Sequence, residues 1–305
     1  MSARRIFARP ARLAAIAPYL WMVLFFLVPF GFVLKISLSQ TAIAQPPYTP
    51  VFDFAEGRAA LAAAFAQLSF DNFRLLLQDN LYILSYLRSL VVAVTSTLIL
   101  LLIGYPIAYG MARLPQRWRG VAMMLVIVPF WTSFLIRIYA WINILQHDGL
   151  LNQVLLALHI VSARVVWLST DSAMYLGIVY SYLPFMILPL YATLSKMDSS
   201  LLEAAGDLGA SPRQAFWLVT FPLSLPGVVS GISLVFLPAV RSFFIPKLLG
   251  GGQYFLIGNV IENQFITVGE WNFGSAISVI MAALMMLSMY LVRHIEEKNS
   301  QVSEL

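Results

Sequence analysis

The chain has 305 residues, of which 60% are hydrophobic and only 11% are charged, and its formal net charge is +5. Soluble domains carry about 25% charged residues, so this composition excludes an ordinary soluble protein and indicates an integral membrane protein. In a membrane chain the excess of basic residues reports topology and not nucleic-acid binding. The sequence contains no cysteine, which excludes disulfide bonds and cysteine metal sites.

Six stretches are apolar over roughly the 20 residues that a helix needs to cross a bilayer. They lie at 13–36, 84–111, 121–145, 173–195, 221–241 and 274–292. Arginines and lysines precede the first stretch, follow the second and the last, and flank the connection between the fourth and the fifth. Because basic loops stay in the cytoplasm, we expect both termini and this connection to be cytoplasmic.

These stretches predict an all-α, polytopic membrane protein with six transmembrane helices. We interpret residues 1–305 as one transmembrane domain, with a first helix at 13–36, a periplasmic connector at 37–83 and a core at 84–292. A signal peptide ending at Ala42-Ile43-Ala44 is the alternative for the N-terminus, but the apolar run exceeds the 7 to 15 residues typical of one. An uncleaved first helix is therefore favoured.

Two external segments carry further local patterns. Three prolines between 46 and 50 indicate an extended connector, and the alanine-rich stretch that follows them predicts a small surface helix. The sequence LIGNVIENQF, at 256–265, has apolar residues at helical spacing but is too short to span a bilayer. A re-entrant or interfacial helix and an ordered loop remain alternatives there.

A charged segment, SLLEAAGDLGASPRQAF, interrupts the apolar chain at 200–216. Ser200 and Glu203 have the spacing of a capping box, which predicts a helix start. A second start follows at Ser211, whose box partner is Gln214, so two helices are expected to meet at a corner near Gly209. The first is too short to cross a membrane and must lie at its surface. It either skims the membrane or, because it is acidic, presents a rigid knob to a cytoplasmic partner.

The source of energy is restricted by what the sequence lacks. No glycine is followed by lysine, so the chain has no Walker A motif and cannot hydrolyse ATP by a P-loop. The six predicted spans contain no aspartate or glutamate, which disfavours an ion-coupled secondary transporter, the alternative from another class. The spans show no nucleophile paired with a base, and the three histidines lie far apart, so neither an enzyme nor a metal centre is expected.

The charged segment resembles the EAA loop of the permease subunits of ATP-binding-cassette (ABC) importers. The matching residues are Glu203-Ala204-Ala205, Gly206 and Gly209, with Leu225-Pro226-Gly227 further along. Other stretches are similar to the spermidine/putrescine permeases, among them LLIGYPIAYGMARLP (101–115), VPFWTSFLIRIYAW (128–141), YLPFMILPLYATL (182–194) and KLLGGGQYFLIGNVIENQF (247–265). The resemblance covers about residues 70 to 290.

The resemblance implies a type I importer fold and a division of labour between subunits. The EAA loop, here 200–228, contains a coupling helix that docks on a separate ATPase dimer, which binds ATP and magnesium while this chain binds no cofactor. The coupling residues implied are Glu203, Ala204, Ala205, Gly206, Asp207 and Gly209. A second, homologous permease and a periplasmic or lipid-anchored substrate-binding protein are the other implied partners. The implied location is the bacterial inner membrane.

The solute implied is a polyamine, with another small polar or anionic solute as the alternative. Aromatic side chains can hold an ammonium group by cation–π contact, and Arg137 lies in a predicted span, where an ionised group suggests function or pairing. Candidate residues of the path are Trp131, Arg137, Tyr139, Trp141, Tyr182, Glu262 and Glu270. Arg241 and Lys247 depart from the polyamine pattern, which has a small and an acidic residue there. A homodimer remains an alternative to the heterodimer.

Overall fold

The computed structural model describes residues 16, 18–52, 57–252 and 255–303. Its contacts divide the chain into two compact units, one formed by residues 1–83 and 261–284 and the other by residues 84–260 and 285–305. Of the described residues 78% are helical, so the prediction of an all-α protein is confirmed. Arg4, Arg5, Arg9 and Arg12, which contributed to the predicted topology, lie outside the described residues.

The first unit starts with helix α1, Pro18–Ser37, which contains a π-helical turn at Val23–Leu27. Of the predicted first span, residues 13–15 and 17 lie outside the described residues. Strands β1, Gln40–Thr41, and β2, Tyr48–Thr49, form a short antiparallel pair in the part of the connector that was expected to be extended. The predicted alanine-rich helix is confirmed as α2, Gly57–Ala66, and α3 follows at Asp71–Gln78.

A buried network of amides and backbone oxygens holds the first unit together. The Nδ2 atom of Asn72 donates hydrogen bonds to the carbonyls of Ser37 and Ser39, both at 2.8 Å. The Nδ2 atom of Asn272 donates to Oδ1 of Asn72 at 3.2 Å and to Oγ1 of Thr41 at 2.9 Å. These bonds satisfy backbone carbonyls at the end of α1 that would otherwise be buried without a partner.

The second unit contains most of the long helix α4, Asn80–Arg113, and then a broken helix. Helix α5, Gln116–Ile127, continues as a 3₁₀ turn, Val128–Trp131, and is followed by α6, Phe134–Leu145, and α7, Leu150–Ala157. The axis bends by 91° between Gln116–Trp131 and Phe134–Ala157. The predicted continuous span at 121–145 is therefore wrong, because Thr132 and Ser133 take extended backbone angles and Pro129 has no N–H to donate.

The remaining helices of the chain follow in order: α8, Asp171–Leu194; α9, Ser200–Asp207; α10, Pro212–Val240, with a π-helical turn at Phe216–Thr220; α11, Phe244–Leu249; α12, Ile257–Asn263, followed by a π-helical turn at Gln264–Val268; and α13, Trp271–Ser303. The segment 248–267, whose form the sequence left open, is thus largely helical. Its side chains Leu256, Ile257 and Val260 are buried, and the amide of Ile257 donates to Oγ of Ser89 on α4 at 2.8 Å.

Two glycines of α10 allow it to lie close against α8. A Cβ atom at Gly227 would stand 2.9 Å from Cβ of Thr193 and 3.0 Å from the carbonyl oxygen of Pro189, and one at Gly231 would stand 2.8 Å from Sδ of Met186. The distances to Thr193 and Met186 are shorter than real Cβ contacts, and the distance to Pro189 is tighter than nine in ten of them. The four-residue spacing of these glycines is the small-residue pattern with which membrane helices approach each other.

Five helices in the described residues are long and apolar enough to cross a membrane, and the bent pair brings the number to six if it forms one span. The five are Pro18–Ser37, Asn80–Arg113, Asp171–Leu194, Pro212–Val240 and Trp271–Tyr290. Each overlaps one of the predicted stretches. The two core clusters of the second unit are built by α8 and α10 with α4, α6 and α11.

Candidate functional site

The charged part of the EAA loop, residues 200–216, which we call the EAA segment, starts differently from the prediction. Helix α9 has Ser199 at its N-cap position, and no side chain of Ser199 caps it. The amide of Ser200 donates instead to Oδ1 of Asp198 at 3.0 Å. The predicted capping box of Ser200 and Glu203 is therefore wrong, because Ser200 is already the first helical residue and the aspartate two positions earlier accepts the free N–H.

This hydrogen bond lowers the pKa of Asp198 below its ordinary value, since both the backbone and the side chain of Ser200 favour the charged carboxylate. A carboxyl whose pKa is lower in the folded state stabilises that state above its unfolded pKa, and the effect is lost as the pH falls through the folded value. The start of α9 is therefore insensitive to pH near neutrality and weakens only in acid.

The far end of α9 forms a corner that is fixed by backbone hydrogen bonds. Gly209 has a positive φ of 81°, its amide donates to the carbonyl of Gly206 at 2.8 Å, and the amide of Ala210 donates to Ala205 at 2.9 Å. This pair of bonds is a Schellman motif. The predicted capping box of Ser211 and Gln214 then starts α10, and both of its bonds are present, so this prediction is confirmed.

Most of the predicted coupling residues are exposed. Glu203, Ala204, Gly206, Asp207 and Gly209 are exposed, while Ala205 is half-buried. The leucines of this helix have different surroundings, since Leu202 is half-buried but Leu208 is 89% exposed. A Cβ atom at Gly206 would meet no atom of this chain within 4 Å. The outer face of α9 thus has open space above it.

A groove of about 560 Å³ lies beside the EAA segment. Its wall includes Glu203 and Asp198 on one side and Arg113 and Arg119 on the other. Arg113 stacks its guanidinium 4.3 Å from the ring centroid of Tyr109, and Nε of Arg119 donates to the carbonyl of Leu114 at 2.9 Å. In the sequence analysis these arginines indicated only which side of the membrane their loop occupies. The fold shows that they also lie next to the acidic helix α9.

A second cavity, of about 720 Å³, lies among the apolar helices of the second unit. We call it the aromatic cavity, after the rings of Phe134, Tyr182, Phe185, Phe243 and Phe244 in its wall. Ser233, Ser242 and Arg241 are the polar residues of its lining, with Leu234, Leu237 and Pro238 completing it. The described residues that line it include no carboxylate. Such a cavity offers ring faces, hydroxyl groups and one positive charge to a bound molecule.

The structure brings few of the predicted path residues to this cavity. Tyr182 lines it, with its hydroxyl 3.4 Å from the carbonyl oxygen of Pro238. Trp131 is 83% exposed, Tyr139 is exposed, and Trp141 packs edge-on against the ring of Tyr180 at 5.3 Å. None of these three lines the cavity, and neither does Arg137. Glu262 and Glu270 belong to the first unit.

Sequence reasoning missed most of the lining residues. The rings of Phe134, Phe185, Phe243 and Phe244 read as ordinary apolar positions in a span, and only tertiary structure shows that they share a cavity. Arg241 could have been found from the sequence, since a basic residue beside the FFIP sequence is unusual in an apolar stretch. Lys247, the other basic residue beside FFIP, is not among the lining residues. Within the described part of the chain, no group of histidine, aspartate or glutamate side chains is suitable for a metal ion.

The chain is similar to known membrane proteins over most of its length. Residues 102–301 match the family of binding-protein-dependent transport system inner membrane components. The chain is 42% identical over 248 residues to the spermidine/putrescine transport system permease protein PotB of Salmonella typhimurium (strain SL1344), covering 79% of this chain and 86% of that one. It is 44% identical over 225 residues to PotB of Escherichia coli (strain K12), covering 73% and 82% of the two chains.

A solved structure, the bacterial alginate ABC transporter in complex with alginate pentasaccharide-bound periplasmic protein, has a chain that aligns over 98% of both chains with a TM-score of 0.69. The identity is 16%, so this likeness concerns the fold. From the match over most of its length, the chain belongs to the family of binding-protein-dependent transport system inner membrane components. It is a permease of an ABC importer, an integral membrane subunit that does not hydrolyse ATP, since that activity belongs to a separate ATPase subunit.

Proposed function

We propose that this permease carries a polyamine such as putrescine or spermidine into the cytoplasm. The observation that supports this proposal is the 42% to 44% identity to permeases named for spermidine/putrescine transport, over 73% to 79% of this chain. The solute path would form between this chain and a second, homologous permease, and would open alternately to the two sides. A periplasmic or lipid-anchored binding protein would deliver the solute. The location proposed is the bacterial inner membrane, with both termini in the cytoplasm.

In this proposal α9 is the coupling helix. Its exposed residues Glu203, Gly206 and Asp207 would enter a cleft of the ATPase dimer, which binds ATP and magnesium, while this chain holds no cofactor. Helix α9 is connected to α10 through the hydrogen-bonded corner at Gly209. A displacement of α9 by the ATPase would therefore reach α10, which lines the aromatic cavity, without being absorbed by a flexible loop.

The test is uptake of labelled putrescine and spermidine in cells that contain the cognate ATPase, second permease and binding protein, with and without this chain. Deletion should abolish uptake of at least one of the two polyamines, and a plasmid copy should restore it. Unchanged uptake on deletion would reject the polyamine proposal, although membership of the importer family would stand.

A second candidate solute is favoured by one observation, the presence of Arg241 among the residues of a cavity whose described lining has no carboxylate. Like charges repel, so this lining suits a small polar or anionic solute in the same importer class better than a polycation. Replacement Arg241→Gln separates the two candidates. It should leave polyamine uptake undiminished, whereas uptake of an anionic solute should fall by about a factor of ten or more, the usual effect of removing a charged partner.

A further inference from the structure

Arg137 contacts aromatic rings on both sides of the break between α5 and α6. Its guanidinium carbon lies 4.3 Å from the ring centroid of Phe130, which precedes the break, and 5.9 Å from that of Phe134, which follows it. Both distances are within the range of cation–π attraction. One charged group therefore connects the end of the 3₁₀ turn with the first turn of α6.

Apart from these two rings, few contacts compensate for the burial of the Arg137 guanidinium. Its Nε and Nη1 atoms are inaccessible to solvent and have no hydrogen-bond partner among the described residues. Burying a charged group without compensation is costly, and more so in an apolar surrounding. The two ring faces are thus the main favourable contact of this charge within the described part of the chain, which makes the contact sensitive to the charge and to both rings.

The rings of Phe130 and Phe134 connect Arg137 with the aromatic cavity. Phe134 lines the cavity directly. Phe130 packs edge-on against Phe185 with centroids 5.4 Å apart, and Phe185 lines the cavity beside Tyr182, 6.4 Å from it. Arg137 itself is not part of the lining. Its side chain contacts one ring of the wall, Phe134, and is connected through Phe130 to a second, Phe185.

We propose that Arg137 is a positioning residue, which holds Phe130 and Phe134 across the break and so sets the position of the cavity's aromatic wall. It acts through these rings and does not bind the solute. The proposal rests on the proposed function in that the aromatic cavity is taken to lie on the solute path. It also explains why an arginine is present in an apolar span at a place where the helix is broken.

The first test measures uptake in liposomes that contain the complete importer. Arg137→Met should raise the KM for the transported solute by about fivefold to thirtyfold, the range between an exposed and a desolvated cation–π contact, with a smaller change in kcat. Arg137→Lys, which keeps the charge, should stay within about threefold of the wild type. Loss of a purely structural arginine would instead reduce assembly or kcat, and the lysine variant would not restore them.

A double-mutant cycle separates positioning from direct binding. If Arg137 acts through Phe130, then Phe130→Leu combined with Arg137→Met should be no worse than Arg137→Met alone, because Arg137→Met already removes the contact with Phe130. Effects on KM that multiply would show that Arg137 acts on the solute independently of Phe130 and would reject the proposal. A normal KM for Arg137→Met would reject it as well.

The second test does not depend on knowing the solute. The chain has no cysteine of its own, so a thiol introduced as Ser233→Cys in the cavity wall can be labelled alone on this subunit with a charged methanethiosulfonate. Adding Arg137→Met should change its labelling rate by about fivefold, and Arg137→Lys should not, since only the former removes the ring contact. A thiol at exposed Ser162 is the control and should label at the same rate in all backgrounds.

The labelling result distinguishes the two proposals. If the rate at Ser233→Cys changes as expected while neither putrescine nor spermidine is transported, then the polyamine proposal fails and the positioning role of Arg137 stands. If the rate is the same in Arg137→Met and wild type, then the positioning role is rejected even where polyamine uptake is normal.

Discussion

At the scale of single residues, Gly206 shows a requirement that this chain does not explain by itself. It lies inside α9, where glycine is less favourable than alanine by about 1 kcal/mol. Its φ is not positive, and a Cβ atom there would meet open space. Nothing within the described residues therefore needs glycine at this position. The need for a small residue fits a surface that another subunit approaches closely, as the coupling proposal requires.

We expect Gly206→Leu to reduce uptake by at least about tenfold without lowering the amount of folded permease in the membrane. The added side chain has room in the free chain and removes a helix-disfavouring glycine, so folding should not suffer. Uptake would fail because leucine prevents the approach of the ATPase. Uptake assays, together with the yield and melting temperature of the purified permease, measure the two effects separately.

Gly120→Leu is the matched control, since Gly120 is also an exposed helical glycine with no atom within 4 Å of an added Cβ. It should leave uptake unchanged. Normal uptake in Gly206→Leu would remove the coupling role from this face of α9, and a loss of folded protein in both variants would show that exposed glycines matter for folding alone.

At the scale of elements, the sequence predicted positions well and local geometry less well. The fourth span was predicted at 173–195 and is observed at Asp171–Leu194, because long apolar runs have few alternatives in a bilayer. The break at Thr132 and Ser133 was missed, since counting apolar residues does not detect two extended backbone angles. The start of α9 was displaced by one residue, because Asp198 competes with Ser200 as the capping group.

The contact between α8 and α10 should depend on the glycines on the face of α10 that packs against α8. We expect Gly231→Leu to destabilise the permease by about 1 to 3 kcal/mol, the usual cost of overpacking, because the new side chain collides with Sδ and the backbone of Met186. The loss can be measured as reduced yield and a lower melting temperature in detergent.

Gly110→Leu in α4 is the corresponding control, as Gly110 is exposed and an added Cβ meets nothing within 4 Å. Its melting temperature should match the wild type. Equal stability of Gly231→Leu and Gly110→Leu would mean that the two helices can separate at no cost, contrary to the close packing described here.

At the scale of the whole molecule, pairing between distant residues was beyond sequence reasoning. Asn72 and Asn272 are 200 positions apart, yet they share a hydrogen bond in the first unit. The cavity shows the same limit, since its wall combines α6, α8, α10 and α11, and one sequence read alone does not report which side chains meet. The class of protein was predictable because the EAA segment is local and its chemistry is unusual in an apolar chain.

Replacement Asn72→Leu should destabilise the first unit, because the carbonyls of Ser37 and Ser39 would stay buried without donors, at about 1 to 3 kcal/mol for each unsatisfied group. The melting temperature of the purified permease should fall by several degrees. Asn80→Leu, at an exposed asparagine, should not change it. Similar melting temperatures for the two variants would show that the buried network contributes nothing to stability.

The corner at Gly209 has a consequence for how such permeases diversify. Its angle is maintained by main-chain hydrogen bonds and by Ser211 and Gln214, while the exposed side chains of α9 take no part in holding it. Under the coupling proposal, the shape of the corner and the recognition of the ATPase therefore depend on different atoms. Substitutions on the exposed face would then adapt the permease to a different ATPase while the connection from α9 to α10 keeps its geometry.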